Sequence, residues 1–358
     1  MPSFRVETPH GSYSAVVERG ILARAAELVP SKRGKVFVIS SEDVWRHQGA
    51  VIERGLQGVD FERIFLPGGE ESKRLAPLDA AADEMVRRGG DRTSLAITFG
   101  GGIVTDMGGF LAAIFMRGIP VIHAPTTLLA QVDAAIGGKT GVNLAVGKNL
   151  IGSFHQPLAV WIDPAALDTL PEREYRAGLF EIVKAGIIRD APLFRFLVRY
   201  SGDVLARRPE AVDGIIAESV RIKAEVVSAD ERESGLRRIL NLGHTFGHAL
   251  EAETGYSQFL HGEAVAWGMK AATLLGAMER LLSAEDKQEI LHCVNLYGPL
   301  PPLQGIDPAR LAARLKSDKK TVQGRIHFVL PERIGAVKIT ADVQEEFVAA
   351  AIQEALAC

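Results

Sequence analysis

The chain is 358 residues long, with 47% hydrophobic residues, 24% charged residues and a formal net charge of −3. At roughly 150 residues per domain that length predicts two domains, each with a proper core, and the composition excludes wholesale disorder and fibrous repeats. Lysine plus arginine (41) nearly balances aspartate plus glutamate (44), with no long run of one sign. This argues against a nucleic-acid stripe or a polybasic membrane patch and for a small-molecule partner. Cys293 and Cys358 are too few for a disulfide framework or a thiolate metal site, which fits a reducing compartment, by default the cytoplasm. Residues 1–6 lack the basic-then-apolar pattern of a signal peptide. Glycine is the outlier: 36 of 358 residues, of which 11 fall within residues 100–152.

Residues 13–18 alternate and predict an antiparallel edge pair. From there to residue 165, β-branched runs at 35–40, 63–66, 95–99, 120–123 and 159–162 alternate with helical stretches such as 76–88 and 103–115. That alternation predicts a Rossmann-like α/β domain of parallel strands and crossover helices over residues 1–168. Beyond Leu170-Pro171 the stretches 174–188, 210–229, 244–254, 264–282 and 344–357 read as helices, and only 325–330 with 335–339 reads as a hairpin. Residues 169–358 are therefore expected to form a mainly α-helical domain, with the active site in the cleft between the two halves. The apolar stretch 264–282 carries Lys270 and Glu279 and reads as a buried helix, not a membrane span.

The run 95–99 leads straight into Gly100-Gly101-Gly102 and then a helix, which gathers backbone amides and a positive helix end where a phosphate could sit. The G-x-G-x-x-G fingerprint is not met, because Thr105 occupies the third glycine position, so close strand–helix packing explains the glycines equally well. Asp106 could complement the helix dipole or bond a ribose or nicotinamide. Upstream, Glu70 and Lys73 in Pro67-Gly-Gly-Glu-Glu-Ser-Lys73 could meet a nucleotide or simply line a solvated turn.

His244 and His248 stand four apart and so share one helical face, and His261 follows across a loop. With no glutamate between the first two, the H-E-x-x-H motif of zinc proteases is absent; an open catalytic zinc site of three imidazoles, or two plus a carboxylate, is balanced against ordinary core histidines. Glu181 and Lys184, three apart on an apolar helix, form either a plain salt bridge or a metal ligand beside a cation aimed at a substrate anion. The segment 133–149 is rich in glycine, carries Lys139 and Lys148, shows no hydrophobic period and lacks P-loop spacing. It reads as a phosphate-binding loop or a flexible surface loop. Lys223, Arg237 and Arg238 add cations near the histidines in sequence, which would suit a polyanionic substrate if they converge.

Taken together, Gly100-Gly-Gly-Ile-Val-Thr-Asp106, Met116-Arg-Gly118, Pro125-Thr-Thr-Leu-Leu-Ala-Gln-Val-Asp133, Gly137-Gly-Lys-Thr140, Gly147-Lys-Asn149, Glu181-x-x-Lys184, Asn241-x-Gly-His-Thr-x-Gly-His248, Leu260-His-Gly-Glu263 and Asp318-Lys-Lys320 resemble the 3-dehydroquinate synthases, in the sugar-phosphate cyclase group, over nearly the whole chain. The resemblance implies zinc or cobalt held by Glu181, His244 and His261. It implies NAD bound through Glu70, Lys73, Gly101, Gly102, Asp106, Thr126, Thr127, Leu129, Asp133, Lys139, Lys148, Thr169 and Glu174. Substrate contacts would fall to Asp133, Lys139, Asn149, Lys184, Lys223, Arg237, Asn241, His248 and Lys320, with Arg117 reaching across the interface of a homodimer.

The implied reaction converts 3-deoxy-D-arabino-heptulosonate 7-phosphate to 3-dehydroquinate and phosphate through transient oxidation at C5, phosphate elimination, re-reduction and aldol closure. A sister cyclase acting on sedoheptulose 7-phosphate, a metal-dependent polyol dehydrogenase and a non-catalytic NAD- or metal-binding protein are the alternatives. Lys223, Arg237, Asn241 and Lys320 favour the heptulosonate, because sister cyclases change several contacts on that side. Four departures stand out: Thr105 where glycine is common, Phe180 where alanine is usual, Ala134-Ala135 for a serine pair, and Ser41 for an aspartate.

Overall fold

A computed structural model of the chain describes residues 2–317 and 326–357. Two compact units emerge: Met1–Pro171 with Ile216–Arg232, and Glu172–Ile215 with Glu233–Cys358. The division thus falls after Pro171, and residues 216–232, inside the stretch expected to be helical domain, group with the first unit.

The first unit runs β1 (Ser3–Thr8), β2 (Gly11–Val17), α1 (Ala25–Leu28), β3 (Val36–Ser40), α2 (Glu42–Gly55), β4 (Phe61–Phe65), α3 (Leu75–Arg87), β5 (Leu95–Gly100), α4 (Gly102–Ile114), β6 (Val121–Pro125), β7 (Lys139–Leu144), β8 (Gly147–Phe154) and β9 (Ala159–Ile162). Its seven-stranded sheet has the order β1-β2-β9-β6-β5-β3-β4. Only β1 with β2 is antiparallel, the expected edge pair; every other pairing is parallel. The central strands read as unbroken apolar runs because both faces are covered. Phe37 and Ile39 pack with Leu78, Met85, Met107 and Leu111 from α3 and α4, whereas Val36 and Val38 pack with Ile52 and Leu56 at the end of α2.

Segment 133–149, read as a loop, instead holds most of an antiparallel hairpin, β7 with β8. Gly141 makes the close pairing possible, since a Cβ there would sit 2.6 Å from the Ile151 carbonyl oxygen. β-branched periodicity is missing because these strands are held by ladder bonds and by packing on α4 rather than by a broad apolar face.

The remaining elements are α5 (Glu172–Arg189), α6 (Ala191–Arg199), α7 (Ser201–Leu205), α8 (Pro209–Ala229), α9 (His244–Glu253), α10 (His261–Met278), α11 (Ala284–Leu296), α12 (Pro308–Ser317), β10 (Phe328–Arg333), β11 (Ala336–Thr340) and α13 (Glu345–Ala357). The second half of α8 belongs to the first unit because that unit grips it: the Glu7 amide donates to Ser228 Oγ at 2.9 Å, and Gln156 Nε2 donates to Glu231 Oε1, just beyond the helix, at 2.8 Å. In the second unit α5, α9, α11, α13 and β10 surround α10, whose residues Gly262–Gly276 are all buried. That explains the apolar stretch in the sequence; among the described residues no helix is long and apolar enough to cross a membrane.

Candidate active site

In the second unit, three helices deliver the metal-ligand candidates. Glu181 and Lys184 lie on α5, both about 3% exposed. His244 is the first residue of α9, entered through Gly243 at φ +80, where a Cβ would stand 2.6 Å from the Val265 carbonyl oxygen. Only glycine tolerates both the left-handed backbone and that approach. His261 opens α10, and Gly262 beside it lies so close to α5 that any Cβ would collide with the Ala177 carbonyl.

One ligand atom from each of Glu181, His244 and His261 lies within 4.8 Å of the others, and His248, Glu251 and His261 form a second such group. His261 presents Nε2 to Glu181 Oε1 at 4.0 Å and Nδ1 to the buried Glu251 at 3.5 Å. His244 Nδ1 faces the Leu242 carbonyl at 3.2 Å, a bond that makes Nε2 the lone-pair nitrogen. Lys184 Nζ contacts Glu181 Oε2, so the plain salt bridge is present. Even so, neither Glu181 oxygen has a hydrogen-bond partner among the described residues. Burying a carboxylate in that state costs several kcal/mol unless further charge compensates it. One carboxylate and two imidazoles fit a borderline divalent ion such as zinc. Phe180, the departure beside Glu181, is buried at 1% exposure.

Arg237 and Asn241 lie on the turn before α9, with Arg237 buried and Asn241 donating to Glu233, whose backbone adopts φ +60. Glu251 and Glu233 are residues the sequence did not single out. Glu251 is marked by burial beside His261 and Glu233 by its bond to Asn241, and neither has a signature in spacing.

In the first unit, β5 turns through Gly101 into α4, whose N-terminus has no side-chain cap. Its first amides are thus presented to an incoming anion rather than to a serine or aspartate. Thr105 does not intrude there: its hydroxyl donates to the Gly102 carbonyl at 3.0 Å, folded back on the helix. Lys73, 4% exposed, donates at 2.6 Å to both Asp106 Oδ2 and Asn149 Oδ1. Burial pushes the Asp106 carboxyl above its ordinary range, against the opposing pull of the Lys73 ammonium. Glu70 joins this group through Asn143, and Lys148 Nζ is 3.9 Å from Glu70 Oε1.

After β6, Thr127 Oγ1 accepts from the Ala130 amide at 3.2 Å and begins a turn that, past Leu129, widens into a π-helix over Ala130–Ala134. Such widened turns re-aim side chains at functional sites; here Asp133 meets Lys223 Nζ from α8. Thr126 is buried, its amide donating to the Gly100 carbonyl at 2.9 Å. Thr169 accepts from Gln48 Nε2 at 2.6 Å. Lys139 and Glu174 are exposed, and so is Arg117, held at φ +70. Lys320 lies outside the described residues. Ser41 caps α2, accepting from the Val44 amide at 3.4 Å.

Comparison with known proteins bears on these groupings. Models for the 3-dehydroquinate synthase N-terminal and C-terminal regions match residues 63–177 and 178–321. A 3-dehydroquinate synthase from Solibacter usitatus is 65% identical over 357 residues, covering 100% of both chains, and one from Koribacter versatilis is 47% identical, covering 98% of this chain and 96% of its own. Among solved structures, 2-epi-5-epi-valiolone synthase from Streptomyces hygroscopicus subsp. jinggangensis, with NAD+ and Zn2+ bound, superposes with a TM-score of 0.89 at 30% identity and 98% coverage of each chain. A 2-deoxy-scyllo-inosose synthase complexed with carbaglucose-6-phosphate, NAD+ and Co2+ gives 0.88 at 25% identity, covering 98% of this chain and 99% of its own. With whole-length relatives at such identity and both regional models matched in order, the chain belongs to the 3-dehydroquinate synthase family.

Proposed function

We propose that the chain is a phosphate-eliminating lyase that converts 3-deoxy-D-arabino-heptulosonate 7-phosphate to 3-dehydroquinate and phosphate, with catalytic NAD and a zinc or cobalt ion. The observation that carries this reading is the convergence of His244 and His261 on the buried Glu181 carboxylate, which has no hydrogen bond beyond its ion pair with Lys184 among the described residues. Those three residues would hold the ion, while Gly101, Gly102, Glu70, Lys73, Asp106, Thr126, Thr127, Leu129, Thr169 and Glu174 would hold the dinucleotide. When bound, the two groups supply Lewis-acid polarisation of a carbinol oxygen and a reversible hydride acceptor.

The chain's own residues then bind and orient. The uncapped amides of α4 would receive a pyrophosphate, and Asp106 and Glu70 would accept from hydroxyl or amide groups. Lys139, Lys148, Asn149, Lys223, Arg237, Asn241, His248 and Lys320 would grip the two anionic ends of the substrate, and fixed cations at both ends allow successive steps without release. Lys184, in contact with Glu181, would bring an ammonium to the same place, and Asp133, in contact with Lys223, would hold that lysine's proton and direction.

The enzyme would act in the cytoplasm as a homodimer, with Arg117 completing the partner's site. Ile114 and Met116, both exposed just before Arg117, support that interface. The test supplies purified protein with NAD+, zinc and the heptulosonate phosphate and follows phosphate release. No turnover beside a competent control enzyme, or preferred turnover of sedoheptulose 7-phosphate, would overturn the assignment.

A further inference from the structure

Hairpin β7–β8 is irregular where it matters. Val142 pairs with Ile151 and Leu144 with Gly147, so the single residue Asn143 on one strand faces three, Lys148, Asn149 and Leu150, on the other. A bulge of this kind strands backbone groups that the ladder would otherwise satisfy. It also places Asn149 in the left-handed region at φ +52, a conformation that needs external support in a residue with a side chain.

The support comes from Asn143, which is 6% exposed. Its Oδ1 accepts the Asn149 amide at 2.8 Å, and its Nδ2 donates to Glu70 Oε1 at 2.7 Å. Its backbone amide leaves the hairpin ladder and donates to the Lys73 carbonyl at 2.8 Å. The Asn149 side chain so oriented accepts from Lys73 Nζ at 2.6 Å, and the same ammonium holds Asp106 at 2.6 Å. One buried carboxamide therefore ties together Glu70 and Lys73, on the dinucleotide side of the proposed site, and Asn149, on its substrate side. An ionised aspartate or an alanine at position 143 could not make both side-chain bonds, because an acceptor and a donor are needed at once.

We infer that Asn143 is a positioning residue that sets Glu70, Lys73 and Asn149 in register, so that the dinucleotide and the sugar phosphate are held by one rigid network. The inference rests on the NAD-dependent reading proposed above. It requires that one substitution beneath both ligands weaken both. A residue that merely stabilises the hairpin would lower the melting temperature and leave the ligand constants of the folded protein unchanged.

The test uses the zinc-loaded enzyme and compares wild type, N143A, N143D, E70Q and N143D/E70Q by calorimetric NAD+ titration, steady-state kinetics and thermal melting. N143A is expected to weaken NAD+ binding about tenfold and to raise KM for the heptulosonate phosphate by a similar factor. N143D sets a carboxylate against Glu70, and E70Q then restores a donor between them. The double variant should therefore bind NAD+ about fivefold more tightly than the product of the two single losses allows. If N143A fails to fold, that cycle decides. Wild-type constants in folded N143A, or losses that multiply in the cycle, overturn the positioning role. Failure of the wild type to bind NAD+ overturns instead the functional reading on which it stands.

Discussion

Around Lys73 in the first unit, cations and acceptors are interleaved in a hydrogen-bonded network, whereas in the second unit three metal-ligand candidates gather on one buried carboxylate. Around Lys73 nearly every charge meets a partner within the unit: Asp106 and Asn149 accept from it, Asn143 bridges to Glu70, and Asp133 contacts Lys223. Around Glu181, three ligand-bearing residues face one another, and the buried carboxylate has the Lys184 ammonium in contact but no hydrogen bond beyond that ion pair among the described residues. The first arrangement suits a cofactor held by many weak contacts on a surface organised in advance; the second suits one multivalent cation that compensates a concentrated cost.

Breaking the open cluster should have the largest effect. His244→Ala is expected to drop bound zinc below one per chain and to lower kcat at least about 1000-fold, checked by metal analysis beside phosphate release. Chelation of the wild type should lower the melting temperature by several degrees and zinc should restore it, whereas His244→Ala should show no zinc response. A metal held at 1000 times its Kd stabilises by about 4 kcal/mol. Lys184→Ala should reduce kcat on the order of 100-fold with zinc content intact, which would separate the ammonium from the ligand set.

Breaking the closed network should cost less. Asp106→Asn keeps the shape but removes the charge paired with Lys73, and should weaken NAD+ about tenfold. Another closed pair probes the sheet itself. His123 is buried on β6 with Thr98 Oγ1 at 2.7 Å from Nδ1, and burial, helped by nearby His155, pushes its pKa from 6.5 down to about 3. The folded state thus holds this base neutral while the unfolded chain protonates it. Its contribution is fully present above pH 6.5 and is lost as pH falls from there toward 3, by up to about 1.4 kcal/mol per unit. Melts of His123→Gln should show a shallower loss across that window. Smallest of all, Thr105→Gly should leave NAD+ affinity within about twofold, because that hydroxyl is turned onto its own helix; its cost in helix propensity is roughly 0.3 kcal/mol.

Legibility in the sequence followed the same division. The central strands were plain because burial on both faces demands β-branched runs, and α10 because an all-round apolar helix has few other homes. The four-residue helical repeat pairs His244 with His248, and His261 and Glu181 are candidates from the residues, but choosing Glu181, His244 and His261 over His248 as the ligand set required the family resemblance, since tertiary contacts between α5, α9 and α10 leave no spacing to read. Hairpin β7–β8 was hidden by its glycines and lysines. Asn143, Glu233, Glu251 and Gln48 were invisible because each acts through a bond to another residue, and an isolated asparagine or glutamate carries no period.

The π-helical turn at Ala130–Ala134 places a constraint on the length of the chain as well as its composition. A wide turn holds one residue more than an α-helix needs, so deleting a single residue there would restore ordinary winding and swing Asp133 by about 100° away from Lys223. A substitution there alters one side chain, whereas a one-codon deletion would re-aim every side chain of the turn at once, so across related chains this stretch should hold its count.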